Sequence, residues 1–106
     1  MTMFDDRERA FEAKFAHDQE MQFRVNARRN RLLGEWAAKL MKLTAEEADA
    51  YKKAVVQADF EVAGDDDVIR KVMGDLISSG VDADEALVRT ALGEKTAEAR
   101  RQIMQE

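Results

Sequence analysis

The sequence predicts an all-α fold, a four-helix bundle with a partly mobile or extended helical segment at its N-terminus. Three observations point there. In 106 residues there is no proline and only five glycines, and 37% of the chain is charged, which suits long amphipathic helices and leaves little from which to build strands. Apolar residues recur at helical rather than alternating spacing. Start and stop signals then divide the chain into four segments.

The first segment opens with three of the five phenylalanines. At about 100° per residue, Phe4, Phe11 and Phe15 fall within roughly 20° of one helical line. The same phase returns at Val25, Leu32, Leu33, Trp36, Leu40 and Leu43 after a polar interruption at Asp18 and Gln22. Two helices, or one long helix with a weak seam, fit this pattern equally well. The chain divides accordingly into residues 1–21, an N-terminal segment, and residues 22–106, the bundle. The stripe itself has two readings, a cap on the bundle core or a surface offered to a partner, and the dense charge of Asp5, Asp6, Arg7, Glu8, Arg9, Glu12 and Lys14 favours a solvated helix around it.

Thr44 followed by Glu47 has the spacing of a capping box and starts a second helix near Ala45. Tyr51, Val55, Ala58, Phe60 and Val62 are its core face, and Gly64 ends it as a positive-φ C′ residue. Asp65, Asp66 and Asp67 suit the start of a third helix, where carboxylates cap free amides and face the positive end of the dipole. Its core residues are Val68, Ile69, Val72, Met73, Leu76 and Ile77, and Ser78-Ser79-Gly80 closes it. Asp82 with Glu85 repeats the box for a fourth helix bearing Leu87, Val88, Ala91, Leu92, Ile103 and Met104, thinly apolar in its second half. Gly34, between Leu33 and Trp36, either lets a neighbouring helix approach closely or marks a bend, close packing being the commoner reason for a glycine inside a helix.

Charge is distributed in blocks beneath a net of −5. Residues 1–20 carry six acids against three bases, residues 21–43 six bases against one acid, and residues 44–67 eight acids against two bases. Opposite signs favour antiparallel packing of the second and third blocks. The acidic balance argues against nucleic acid. With no cysteine and one histidine, thiolate metal sites and disulfides are excluded, and no nucleophile, base and oxyanion set can be assembled. The chain reads as a non-enzyme, with no metal site and no required cofactor. It lacks an apolar run for a membrane span or leader, which predicts a cytosolic protein.

Asp65-Asp66-Asp67 lacks the glycine and the twelfth-position acid of a calcium loop, so capping is the better account. His17 reads as an exposed helix residue, with a pH switch as the alternative. Arg24, Arg28, Arg29 and Arg31 form a basic cluster with Trp36 further along the helix. Guanidinium forks and an aromatic face can hold an anion, although the acidic second helix is the more obvious partner for these charges.

The run from Phe4 to Asp18, FDDRERAFEAKFAHD, resembles the N-terminus of the zeta subunit of alphaproteobacterial F-type ATP synthases. The segments RRNRLLGEWAA (28–38) and ADFEVAGDDDV (58–68) are similar to that family in order and spacing, and the likeness covers about residues 4–72. The resemblance implies a four-helix bundle that binds the catalytic head of the synthase and restrains ATP hydrolysis. It further implies that the N-terminus is a mobile inhibitory element, residues 3–23 folding or firming up as a helix on insertion into a catalytic α/β interface near the rotor, with Phe4, Phe11 and Phe15 as anchors and Arg7 and Glu8 among the contacts. The implied partners are the α, β and γ subunits of the head, and the location is cytoplasmic, peripheral to the inner membrane. ADP or ATP is implied as a regulatory ligand of the bundle, which points to Arg28, Arg29 and Trp36.

Overall fold

The computed structural model describes the backbone of residues 3–61 and 64–106 and the side chains of residues 17–58 and 64–106. Four helices follow in order, α1 (Met3–Leu40), α2 (Ala45–Glu61), α3 (Asp65–Ser78) and α4 (Glu85–Met104), with no strand among the described residues. The polar interruption at Asp18 and Gln22 does not break the first helix. α1 runs as one piece of 38 residues through residues 21 and 22.

Each junction is closed by local hydrogen bonding. At the end of α1, Leu43 N–H donates to Ala38 O at 3.1 Å and Lys42 N–H to Lys39 O at 3.2 Å, the paired bonds of a Schellman motif. Its left-handed residue is Lys42, with φ 58°, where a glycine is usual. The Thr44 capping box forms reciprocally: Thr44 N–H donates to Glu47 Oε1 at 2.9 Å and Glu47 N–H to Thr44 Oγ1 at 3.2 Å. The bond from the Thr44 backbone N–H first, and the Thr44 side chain second, hold the Glu47 carboxyl below its usual range because they favour the ionised form. α3 ends in a second Schellman motif, with Val81 N–H on Leu76 O at 3.0 Å and Gly80 at φ 84°.

Two starts differ from the sequence reading. Gly64 has positive φ, 133°, but it stands as the N-cap of α3, with no side-chain capping bond there. The three aspartates that follow have turned outward to arginines. The N-cap of α4 is Asp84 rather than Asp82, its carboxylate accepting from Leu87 N–H at 2.8 Å. Asp84 is in the extended conformation that an N-cap needs and stands three residues before the amide it binds.

The principal core joins all four helices: Leu33 and Ala37 from α1, Val55 from α2, Val68, Ile69, Val72 and Leu76 from α3, and Val88, Ala91 and Leu92 from α4. Trp36, Tyr51 and Met73 pack on its edge. A second, smaller cluster joins Val25 of α1 to Ala99 and Ile103 of α4, with Met21 and Leu32 beside it. The second half of α4 is thus anchored, despite its sparse apolar content. Leu40, Ile77, Leu87 and Met104 are exposed rather than buried, each lying at or near a helix end. Phe60 and Val62 lie outside the described side chains.

Gly34 behaves as expected. A methyl group there would come within 3.0 Å of Lys52 Cα and 3.4 Å of Val55 Cγ2, so the backbones of α1 and α2 touch at this point. The basic and acidic blocks pair at one point among the described residues, where Arg29 meets Asp65; no ion pair joins α1 to α2 themselves, and Arg24 and Arg28 reach Glu106. Close backbone contact at Gly34 lets packing rather than charge set the α1–α2 approach.

Candidate functional site

Three regions bear on function: the exposed run of α1 ahead of the core, the arginine cluster behind it, and a cleft between helices. Residues 17–20 are exposed, His17 included, and Met21 is the first partly buried residue among those described. Val25 is the first buried one, at 6% exposure. The side chains of Phe4, Arg7, Glu8, Phe11 and Phe15, the expected partner contacts, lie outside the described residues; their backbone belongs to α1.

The arginines have separate fates. Arg24 and Arg28 converge on the Glu106 carboxylate beyond α4, Arg24 Nη2 at 2.8 Å from Oε2 and Arg28 on Oε1. Arg29 is buried. Its Nη1 donates to Asp65 Oδ1 at 3.0 Å and its Nε to Asn30 Oδ1 at 3.1 Å, while Arg29 Nη2 and Asn30 Nδ2 are buried without a hydrogen-bond partner. Asp66 accepts from Arg89 Nη2 at 2.8 Å and Asp67 from Arg70 Nη2 at 2.9 Å. Bonds to Asp66 first and Glu85 second push the Arg89 guanidinium further up. The aspartate run therefore ties the start of α3 to α1 and α4, each carboxylate serving a different arginine. Among the described residues no group of three acidic, histidine or cysteine side chains could hold a metal.

Arg28, Arg31, Leu32 and Glu35 of α1, Lys52 of α2 and Gln102 of α4 line a cleft of about 220 Å³. A neighbouring groove of about 330 Å³ shares Arg31 and Lys52 and adds Asp49, Lys53, Val56 and Gln57. Among the described residues Arg31 and Lys52 have no ion-pair partner, whereas Glu35 and Asp49 are taken up by Lys39 and Lys53. The result is a three-helix cleft with two uncommitted cations. Of the residues expected to hold a nucleotide, Arg28 lines this cleft, Arg29 is committed to Asp65, and Trp36 packs against the principal core. Lys52 escapes a reading of the sequence because it sits in an acidic block. Gly34 is the signal that could have found it, since the missing side chain is what brings Lys52 against α1.

Comparison with known proteins supplies the rest. No curated protein matches the chain significantly. A protein whose structure was solved by solution NMR is 46% identical, with a TM-score of 0.70 over 80% of this chain and 96% of that one. The family profile described as ATPase inhibitor subunit zeta matches residues 1–102. With nearly the whole chain matched and its fold shared with a solved relative, the protein belongs to the ATPase inhibitor subunit zeta family.

Proposed function

We propose that the chain restrains ATP hydrolysis by the catalytic head of ATP synthase without chemistry of its own, the N-terminal length of α1 wedging into a catalytic α/β interface near the γ rotor. The observation that carries this reading is the continuity of α1. The helix bearing the Phe4, Phe11 and Phe15 stripe is the same helix that contributes Leu33 and Ala37 to the core, so force on the stripe is borne by a folded body. An amphipathic helix seated in a groove through apolar anchors is a common recognition mode. A wedge that blocks domain closure stops turnover mechanically. Phe4, Phe11 and Phe15 serve as anchors, with Arg7 and Glu8 at the rim. On this reading the protein acts in the cytoplasm, at the membrane periphery through the synthase, and no described helix is long and apolar enough to cross a membrane.

The test is an ATPase titration of the purified synthase head with the full chain and with a chain lacking residues 2–20. Full-length protein inhibits and the truncated protein does not, while its circular dichroism and melting remain those of a folded bundle. Equal inhibition by both sinks the wedge. Phe11→Ala and Phe15→Ala each weaken inhibition by roughly tenfold or more, since a buried interface aromatic can contribute about 2 kcal/mol.

A second reading is favoured by the cleft: ADP or ATP held by Arg28, Arg31 and Lys52, with the bundle sensing nucleotide. Two uncommitted cations beside Arg28 suit a polyphosphate. Calorimetry with ADP and ATP on the native chain and on Arg31→Ala and Lys52→Ala variants decides it. Absent or unaltered binding removes the cleft as the nucleotide site.

A further inference from the structure

We infer that Arg24, Arg28 and Arg31 form a second contact with the catalytic head, a basic ridge that seats against carboxylates at the mouth of the groove into which the N-terminal segment inserts. The inference rests on the wedge reading above and adds to it what the folded bundle contributes. At about 100° per residue the three arginines fall within roughly 60° of one another on α1, on the side opposite Leu33 of the core. Their side chains are open to solvent: Arg24 and Arg28 are 47% and 34% exposed, and Arg31 is exposed as well. Arg24 and Arg28 share one carboxylate, Glu106, and Arg31 has no ion pair among the described residues. Lys39, Lys53, Arg70, Lys71, Arg89 and Lys95, by contrast, each have a carboxylate on their own helix. The ridge therefore keeps a positive surplus on a protein whose net charge is −5.

Guanidinium forks match carboxylates, and position along the chain selects whose carboxylates they meet. Arg24 follows directly on the inserting segment, residues 3–23, so whatever surrounds that segment meets the ridge next. The order of charge fits a protein groove. Residues 1–20 carry six acids against three bases, so a groove with basic depths and an acidic mouth accepts the chain in this direction and sets like charges together in the other. The ridge belongs to the folded bundle and acts whether or not residues 3–23 are ordered beforehand. Once seated, it holds the segment beside the groove and raises its effective concentration there. Exposed charges at an interface rim act on the rate of encounter more than on the lifetime of the complex, and salt screens them beyond about 8 Å at physiological ionic strength.

The test is the kinetics with which the full chain binds the immobilised synthase head over a range of salt concentrations. Arg31→Glu lowers the association rate by about tenfold at low salt and flattens its salt dependence, while the dissociation rate changes by less than about twofold and the melting curve of the bundle stays the same. Arg31→Lys keeps the charge and retains the native association rate. Lys42→Glu makes the same change of charge in the turn after α1, at the far end of the helix, and also retains it. An association rate that Arg31→Glu leaves unchanged overturns the ridge, and so does one that Lys42→Glu lowers equally, since net charge alone would then be responsible. A deficit that appears only with added ADP or ATP overturns it as well, by making Arg31 a ligand for nucleotide. Failure of the wedge shows separately, as equal inhibition by the chain lacking residues 2–20, an outcome on which these rates do not depend.

Discussion

Arg29 and Asp65 form the one cross-helix ion pair among the described residues in which a guanidinium is buried: Nη1 lies 3.0 Å from Oδ1, and the side chains are 5% and 59% exposed. The burial is one-sided. Removing Asp65 strands a cation inside the protein, whereas removing Arg29 leaves a carboxylate that water can reach. Asp65→Ala should therefore destabilise by about 1–2 kcal/mol, below the usual cost of breaking a fully buried pair because the partner is solvated. Arg29→Met keeps the bulk of the side chain and should cost less, about 1 kcal/mol or under, despite leaving Asn30 Oδ1 without its donor. Urea denaturation of the two variants gives the ordering. If Arg29→Met proved the worse of the two, packing and hydrogen bonding of the arginine would outweigh the burial of its charge.

Three glycines inside helices offer an internal control. Gly74 and Gly93 have nothing within 4 Å of an added methyl group, whereas Gly34 faces the Lys52 backbone at 3.0 Å. Gly74→Ala and Gly93→Ala should each stabilise by about 0.5–1 kcal/mol through reduced backbone entropy of the unfolded chain. Gly34→Ala should forfeit that gain, and Gly34→Val should destabilise by about 2 kcal/mol or more as α1 and α2 are pushed apart. Thermal melts of the three alanine variants, rising for two and failing to rise for the third, check the close approach directly.

The pattern of these residues explains how far the sequence could be read. Helices are legible because each carries its own signals: Thr44 and Glu47, three apart, can hardly be anything but a box, and Gly34 between Leu33 and Trp36 announces a near neighbour. Asp65-Asp66-Asp67 marks the start of α3 as its sequence suggests, but its bonds go to arginines that a local capping rule does not register: 36 residues away for Asp65 and 23 for Asp66. Asp82 and Asp84 both precede Glu85 in a polar loop, and it is Asp84, extended and three residues before Leu87, whose carboxylate takes the capping bond. The cleft is half visible. Arg28 and Arg31 stand out in a run of bases, but Lys52 and Gln102 come from other helices, and no pattern within one helix registers a site assembled by packing three.

Lys42 occupies the left-handed position that glycine fills at Gly80 in the matching motif of α3, with φ 58° against 84°. A side chain in that region costs about 1–2 kcal/mol, part of which a glycine would return as unfolded-state entropy. Lys42→Gly should accordingly raise stability by up to about 1 kcal/mol, while Gly80→Ala lowers it by a similar amount. Paired denaturation curves measure both, and inhibition by Lys42→Gly should be unaltered because the turn lies at the opposite end of α1 from the stripe.

Tyr51 is the only tyrosine, and its environment makes the protein sensitive to alkali. Its hydroxyl donates to Asp75 Oδ2 at 2.8 Å, and Lys71 Nζ reaches the same oxygen at 3.2 Å while lying 5.6 Å from the ring centroid. Burial first, then the bond to Asp75 and the repulsion of its charge, push the phenol well above its usual range. The folded protein therefore keeps the proton that the unfolded chain gives up near pH 10. Between that pH and the raised folded value the unfolded state binds fewer protons, so stability is fully present below about pH 10 and falls as pH rises above it. Tyrosinate absorbance should appear only together with loss of helical circular dichroism, the two curves coinciding. Tyr51→Phe removes one hydrogen bond, costing about 1 kcal/mol at neutral pH, and its unfolding midpoint should decline less steeply above pH 10 than that of the native chain. A tyrosinate signal rising near pH 10 while the helices remain intact would show that the phenol is open to solvent and the Tyr51–Asp75 tie between α2 and α3 is not held in solution.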